Sequence, residues 1–170
     1  MMRAFFTFLM IVLTMASCQS DKKSKSSPML DWSTRVVDDL KVDSLVSGRT
    51  YLSVYSQIYG FDYSRIIDLS VTVSLRNTNL DESVYIKSAN YFDSYGELIR
   101  GYTDQPLELK PMETIEVFID ERNDDGGTGA NFVFEWYIEK GGSEPLFEAV
   151  MIATTGQQGI SFTTQGIRME

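Results

Sequence analysis

The chain has 170 residues, 43% of them hydrophobic, which suits one domain with one core. Its formal charge is −9, and because the first 17 residues hold one Arg and no acid, the chain from Cys18 onward carries −10, which argues against nucleic acid as a partner. There is no His and a single Cys, Cys18, so imidazole bases, most zinc sites, internal disulfides and, given where Cys18 lies, a thiol nucleophile are removed from consideration.

The first twenty residues, MMRAFFTFLMIVLTMASCQS, open with the cation Arg3, run through mostly apolar residues from Ala4 to Met15, and end on the small Ala16 and Ser17. That is the plan of a secretory signal peptide. The run stops at Gln19, Ser20 and Asp21, short of the about 20 apolar residues needed to cross about 30 Å of hydrocarbon. MASC, Met15 to Cys18, resembles the bacterial lipobox, with Met15 where Leu is usual. The resemblance implies cleavage before Cys18 and acylation of its thiol, and several acyl chains at about 0.8 kcal/mol per buried methylene hold a protein on a membrane. QSDKKSKSSP follows, polar enough for a flexible tether, with Lys22, Lys23 and Lys25 close to any anionic headgroups. The absence of Asp after the Cys favours, by analogy with enteric sorting, the outer membrane over the inner. The expected organisation is a signal peptide over 1–17, a lipidated Cys and tether over 18–47, and a folded domain over 48–170, all in the cell envelope.

DWSTRVVDDLKVDSL has spacing compatible with a helix and equally with an extended linker. RTYLSVYS, near residue 50, reads as a strand. From Ile67, IDLSVTVSLRNT sets Ile67, Leu69, Val71, Val73 and Leu75 on one side and Asp68, Ser70, Thr72, Ser74 and Arg76 on the other, the period of a half-buried strand. An Asn/Asp-rich turn, NTNLDES, leads to VYIKSANYFD, whose β-branched and aromatic residues suit a pleated surface. DSYGEL turns at Gly96 into ELIRGY, and LELKP turns at Pro111 into ETIEVFID. In NFVFEWYIEK, Phe132, Phe134, Trp136 and Ile138 alternate with Val133, Glu135, Tyr137 and Glu139. LFEAVMIATT and ISFTTQ complete the series. The spacing predicts an all-β, immunoglobulin-like antiparallel sandwich of about eight strands, in which Trp136 lacks the antibody disulfide and packs against aliphatics.

Three stretches carry a family resemblance: YLSVYSQIYG at Tyr51 to Gly60, GGTGANFVFEW at Gly126 to Trp136, and EAVMIATTGQQGISFTTQG at Glu148 to Gly166. Together they resemble the bacterial family called domain of unknown function 3124, over roughly Gly48 to Arg168. Thr155 stands where Ser is commoner, and Gln57 where the family tends to have His, so a His there is not required chemistry. The resemblance implies an envelope or lipoprotein context and no particular activity.

GGTGANFVF, Gly126 to Phe134, nearly spells the calcium-binding nonapeptide of β-helices. Asn131 replaces its ligand Asp, and the copy is solitary where each ion needs two neighbouring turns. Asp120, Glu121, Asp124 and Asp125 miss the EF-hand spacing, which leaves Asp124 and Asp125 as weak candidates for a metal. A second reading is a ligand cradle. Gly126, Gly127 and Gly129, with Thr128 and Asn131, would expose backbone amides, while Thr155, Gly156, Gln157, Gln158 and Gly159 offer neutral donors and acceptors. Glycan or peptide recognition would suit these amides and the aromatics Tyr51, Tyr55, Tyr59, Phe61 and Tyr63; the plainer reading is tight turns. A third is an exposed edge, ISFTTQ or YLSVYS, that accepts a strand from an envelope partner. No catalytic constellation emerges: Glu135 with Glu148 has no spacing that makes a glycosidase pair, and the Ser20 to Lys23 spacing falls in the tether. No cofactor is implied, and the expectation is a noncatalytic binding or interaction module.

Overall fold

The computed structural model describes residues 32–154 and 159–170; Cys18, the signal peptide, the tether before Trp32 and the segment 155–158 lie outside the described residues. The chain folds as two packed antiparallel sheets and a small hairpin. The strands are β1 (Val46–Ser53), β2 (Gln57–Tyr59), β3 (Ile66–Asp68), β4 (Ser70–Arg76), β5 (Val84–Phe92), β6 (Leu98–Gly101), β7 (Leu107–Leu109), β8 (Thr114–Ile119), β9 (Asn131–Ile138), β10 (Leu146–Ala153), β11 (Ile160–Gln165) and β12 (Ile167–Met169). The larger sheet runs β12-β1-β9-β5-β6, with β7 also on β5; the smaller runs β11-β10-β4-β8; β2 and β3 form the hairpin.

The alternation read from the sequence decides which side chains meet between the sheets. Along β9, Phe132, Phe134, Trp136 and Ile138 are buried, and along β4, Val71, Val73 and Leu75. An aromatic file crosses the core: Tyr91 stacks on Phe132 at 4.8 Å, Phe132 on Phe134 at 5.3 Å, and Phe134 on Phe147 of the other sheet at 4.2 Å. Trp136 lies in the core and on Gly48, where any Cβ would overlap its ring, and donates through Nε1 to Thr50 Oγ1 at 2.9 Å. A buried indole N–H needs an acceptor, and Thr50 is one of the few buried polar residues.

Twelve strands stand among the described residues where about eight were expected. The long strand read from Ile67 is broken at Leu69, whose N–H leaves the ladder for the carbonyl of Ser56 at 2.8 Å. Its first part pairs instead with Gln57–Tyr59 as the hairpin. The last strand, β12, follows a crossing at Gly166, where a Cβ would overlap the Thr50 methyl carbon Cγ2 at 2.6 Å; there the chain passes from the edge of one sheet to the edge of the other. From residue 32 to 45 the chain forms neither an α-helix nor a plain linker. It makes two 3-10 turns, Trp32–Arg35 and Val42–Ser44, and between them Val36 bridges to Leu107 of β7 and the Val37 N–H reaches the Pro106 carbonyl at 2.9 Å. Trp32 packs on Tyr102, and Arg35 pairs with Glu113 at 2.5 Å, so packing on the sandwich begins well before Gly48.

Candidate functional site

Strand registers bring three described connections to one end of the sandwich. Ser53 at the close of β1 pairs with Asn131 at the start of β9, which pairs with Phe92 at the close of β5. In the other sheet Val71 near the start of β4 pairs with Ile119 at the close of β8 and with Met151 near the close of β10. The backbone bond from Val54 N–H to the Ala130 carbonyl, 2.9 Å, extends the β1–β9 pairing, and that from Leu69 N–H to the Ser56 carbonyl ties this end to the start of β4 in the other sheet. The connections 54–69, 93–97 and 120–130 therefore emerge side by side, at the end where Ala153 closes β10 opposite Ile160 of β11. Among them is the Gly126–Gly129 turn singled out from the sequence; Thr155, Gly156, Gln157 and Gln158 lie outside the described residues.

The Gly126–Gly129 turn is fastened inward. Ser94, in the β5–β6 turn, donates from Oγ to the Gly126 carbonyl at 3.0 Å and accepts from the Gly129 N–H at 2.8 Å, and its own N–H reaches the same carbonyl at 3.2 Å. Ser56 Oγ donates to the Gly127 carbonyl at 3.1 Å, and Gly127 N–H bonds the Asp124 carbonyl at 3.0 Å. Two of the amides that a cradle would present are thus already committed. Gly126 is buried, and a Cβ there would overlap the Tyr91 hydroxyl and come 2.8 Å from Ala130 Cβ. Gly127 has a φ of 68°, the left-handed conformation that favours glycine. Burial pushes the Tyr91 hydroxyl up to about 12, and the Ser56 hydroxyl beside it does not reverse that direction. Thr128 is half-buried, Asn131 begins β9 on its outer face, and Gly159 is exposed just before β11.

The acidic residues of the same loop are arranged for turns. Asp120 accepts from Arg122 Nε and Nη2, both at 2.7 Å, and from the Arg122 N–H at 3.0 Å, and these bonds hold its carboxyl far below the usual carboxylate range. Asp125 N–H donates to Asn123 Oδ1 at 3.2 Å. Among the described residues no group of three or more acids or other metal-binding side chains converges. Glu135 and Glu148 lie on opposite outer faces of the sandwich, Glu135 paired with Lys87 and Arg49 and Glu148 with Arg76. They share no cleft.

The aromatics divide. Tyr55 packs edge-on against Phe162 at 5.8 Å, and Tyr51 is half-buried on the outer face of β1. The β2–β3 hairpin instead projects its rings: Phe61 is 92% exposed and Tyr63 86%, with Tyr59 against Tyr63 at 5.1 Å. Tyr95, beside Ser94, is also 92% exposed. Sequence reasoning took DSYG as a turn only and passed over Ser94, Tyr95 and Ser56; a turn whose tip is a large aromatic was the available signal. Of the two candidate edges, β1 is paired on both sides by β12 and β9 over Arg49–Tyr51, whereas β11 is a true sheet edge.

The model of the family described as "Protein of unknown function (DUF3124)" matches residues 47–169, nearly all of the sandwich. The chain belongs to that family. The three stretches that suggested it map, in the DUF3124 fold seen here, to β1 with the hairpin's first strand, to the Gly-rich turn with β9, and to β10 through β11. No curated protein matches the chain. A solved structure titled "Crystal Structure of Thermotoga maritima 1070" is similar at a TM-score of 0.45 and 10% identity, over 71% of this chain and 92% of its own.

Proposed function

We propose that this DUF3124 protein is a lipid-anchored envelope protein, acylated at Cys18, whose sandwich acts as a noncatalytic interaction module through its loop end. The observation that carries the reading is the pair of fully projecting hairpin rings, Phe61 and Tyr63, with Tyr95 exposed in a separate turn at the same end, on a loop cluster held by the Ser94 and Ser56 hydrogen bonds. Large exposed rings cost a soluble surface solubility and mark places where a partner removes them from water. Loops fixed by a scaffold are where sandwiches place recognition. The MASC motif supports the anchor.

The test is retention of partners from envelope extracts, and in parallel binding to a glycan array, by the protein and by Phe61→Ser with Tyr63→Ser. Specific capture that the double substitution abolishes supports the module; capture indifferent to it, or none on either surface, defeats it. Metabolic labelling with a fatty acid checks the anchor: label is expected on the wild type and absent in Cys18→Ser.

A further inference from the structure

We infer that the partner of the loop end is a polypeptide segment bearing arginines, whose guanidinium groups stack on the projecting rings while the carboxylates around them neutralise its charge. The inference rests on the proposed interaction module and names its ligand class. Three described connections at this end, 54–69, 93–97 and 120–130, hold eight carboxylates against two guanidiniums, a local −6 of the chain's −9. The acids are interleaved with the rings: Asp62 stands between Phe61 and Tyr63, and Glu97 two residues after Tyr95. Of the two guanidiniums, Arg122 is paired with Asp120, and the Arg65 stem lies along Gly60 at the hairpin's turn. Glu97, Glu121, Asp124 and Asp125 are exposed and belong to no ion pair among the described residues.

Charge complementarity therefore excludes an anionic membrane surface and selects a cationic occupant; the rings then select within that class. A guanidinium is planar, weakly hydrated and stacks on aromatic faces, whereas an ammonium is a compact, strongly hydrated charge. The chain pairs these groups elsewhere, with Arg100 over Tyr102 and Arg168 over Trp136, each 5.1 Å from the ring centre. Among the described residues no cation lies over Phe61, Tyr63 or Tyr95. A bare acidic surface would hold Lys and Arg alike, so preference for Arg is what separates a recognition surface from general acidity.

The experiment compares two synthetic peptides of equal length and charge, alternating Arg with Gly and Lys with Gly, binding to the full chain at low and physiological salt. The Arg peptide is expected to bind several-fold more tightly, to weaken about tenfold or more in Phe61→Ser with Tyr63→Ser, and to weaken similarly in Glu121→Gln with Asp124→Asn and Asp125→Asn. Glu116→Gln with Glu148→Gln, on the outer face of the smaller sheet, should leave it unchanged. Equal binding of the two peptides, insensitivity to the ring substitutions, or equal loss in the Glu116 and Glu148 control overturns the inference. If neither peptide binds while envelope capture still depends on Phe61 and Tyr63, the cationic partner is refuted and the interaction module stands; if both fail, both fall.

Discussion

The Gly126–Gly129 turn and the β2–β3 hairpin are neighbours at one end of the sandwich and have opposite characters. The turn looks inward: its carbonyls and amides meet Ser94, Ser56 and Asp124, and the missing side chain of Gly126 is replaced by the Tyr91 hydroxyl. The hairpin looks outward, with rings that touch little but each other and water. Glycines in a loop are thus ambiguous, since the freedom that lets a backbone approach a ligand also lets it approach its own core. Here the core has taken that room, and the unspoken-for surface belongs to the aromatic neighbour.

If this contrast is right, the turn is where substitutions unfold the protein and the hairpin is where they do not. The largest effect is expected for Gly126→Ala, about 3 kcal/mol of destabilisation from overpacking against Tyr91 and Ala130, while Gly159→Ala, whose Cβ meets only ordinary contact at 3.6 Å, stays within about 0.5 kcal/mol. Urea denaturation of the pair decides it. Next is an alkaline effect. The Tyr91 hydroxyl rises from 10.0 unfolded to about 12 folded, so its share of stability is complete below pH 10.0 and lost as pH climbs toward 12. Relative to wild type, Tyr91→Phe should remove about 2 kcal/mol of that decline at about 1.4 kcal/mol per unit, read from denaturation midpoints across that range. Ser94→Ala should cost about 1 kcal/mol by taking the acceptor from the Gly129 N–H, the Gly126 carbonyl keeping the Ser94 N–H, with faster hydrogen exchange at the Gly129 amide. Smallest is Phe61→Ser with Tyr63→Ser, within about 0.5 kcal/mol of wild type for exposed positions; a loss of several kcal/mol would mean the rings hold the fold together and erase the contrast.

The alternating strands were legible because burial between two sheets imposes period two; β8, β9 and β10 obey it, β4 does so with Ser74 buried as well, and β5 shifts phase at the bulge between Ile86 and Ser88. What escaped is instructive in each case. Ile67 and Leu69 keep the period across a break, because Leu69 remains buried while its N–H changes partner, and side-chain alternation carries no record of that exchange. β2 and β12 are three residues each, too short to show a period. Ser94 and Ser56 act across 32 and 71 residues of chain on the same turn, a coincidence of topology with no local signature. Trp136 was placed in the core correctly, but its neighbour is a missing side chain, Gly48, which hydrophobic patterning cannot mark.

The docking of Trp32–Val37 along the edge of β7 has a mechanical consequence. Whatever the residues before Trp32 are fastened to, force arriving along the chain reaches the sandwich first through one bridge at Val36, the ring contact of Trp32 with Tyr102 and the Arg35 ion pair. With the bond from the Val37 N–H to the Pro106 carbonyl, these contacts lie on the β7 side of the fold, so a pull is expected to strip them before load reaches β1, which lies between two strands over Arg49–Tyr51. Residues 32–37 would then lengthen under tension while the loop end keeps its shape.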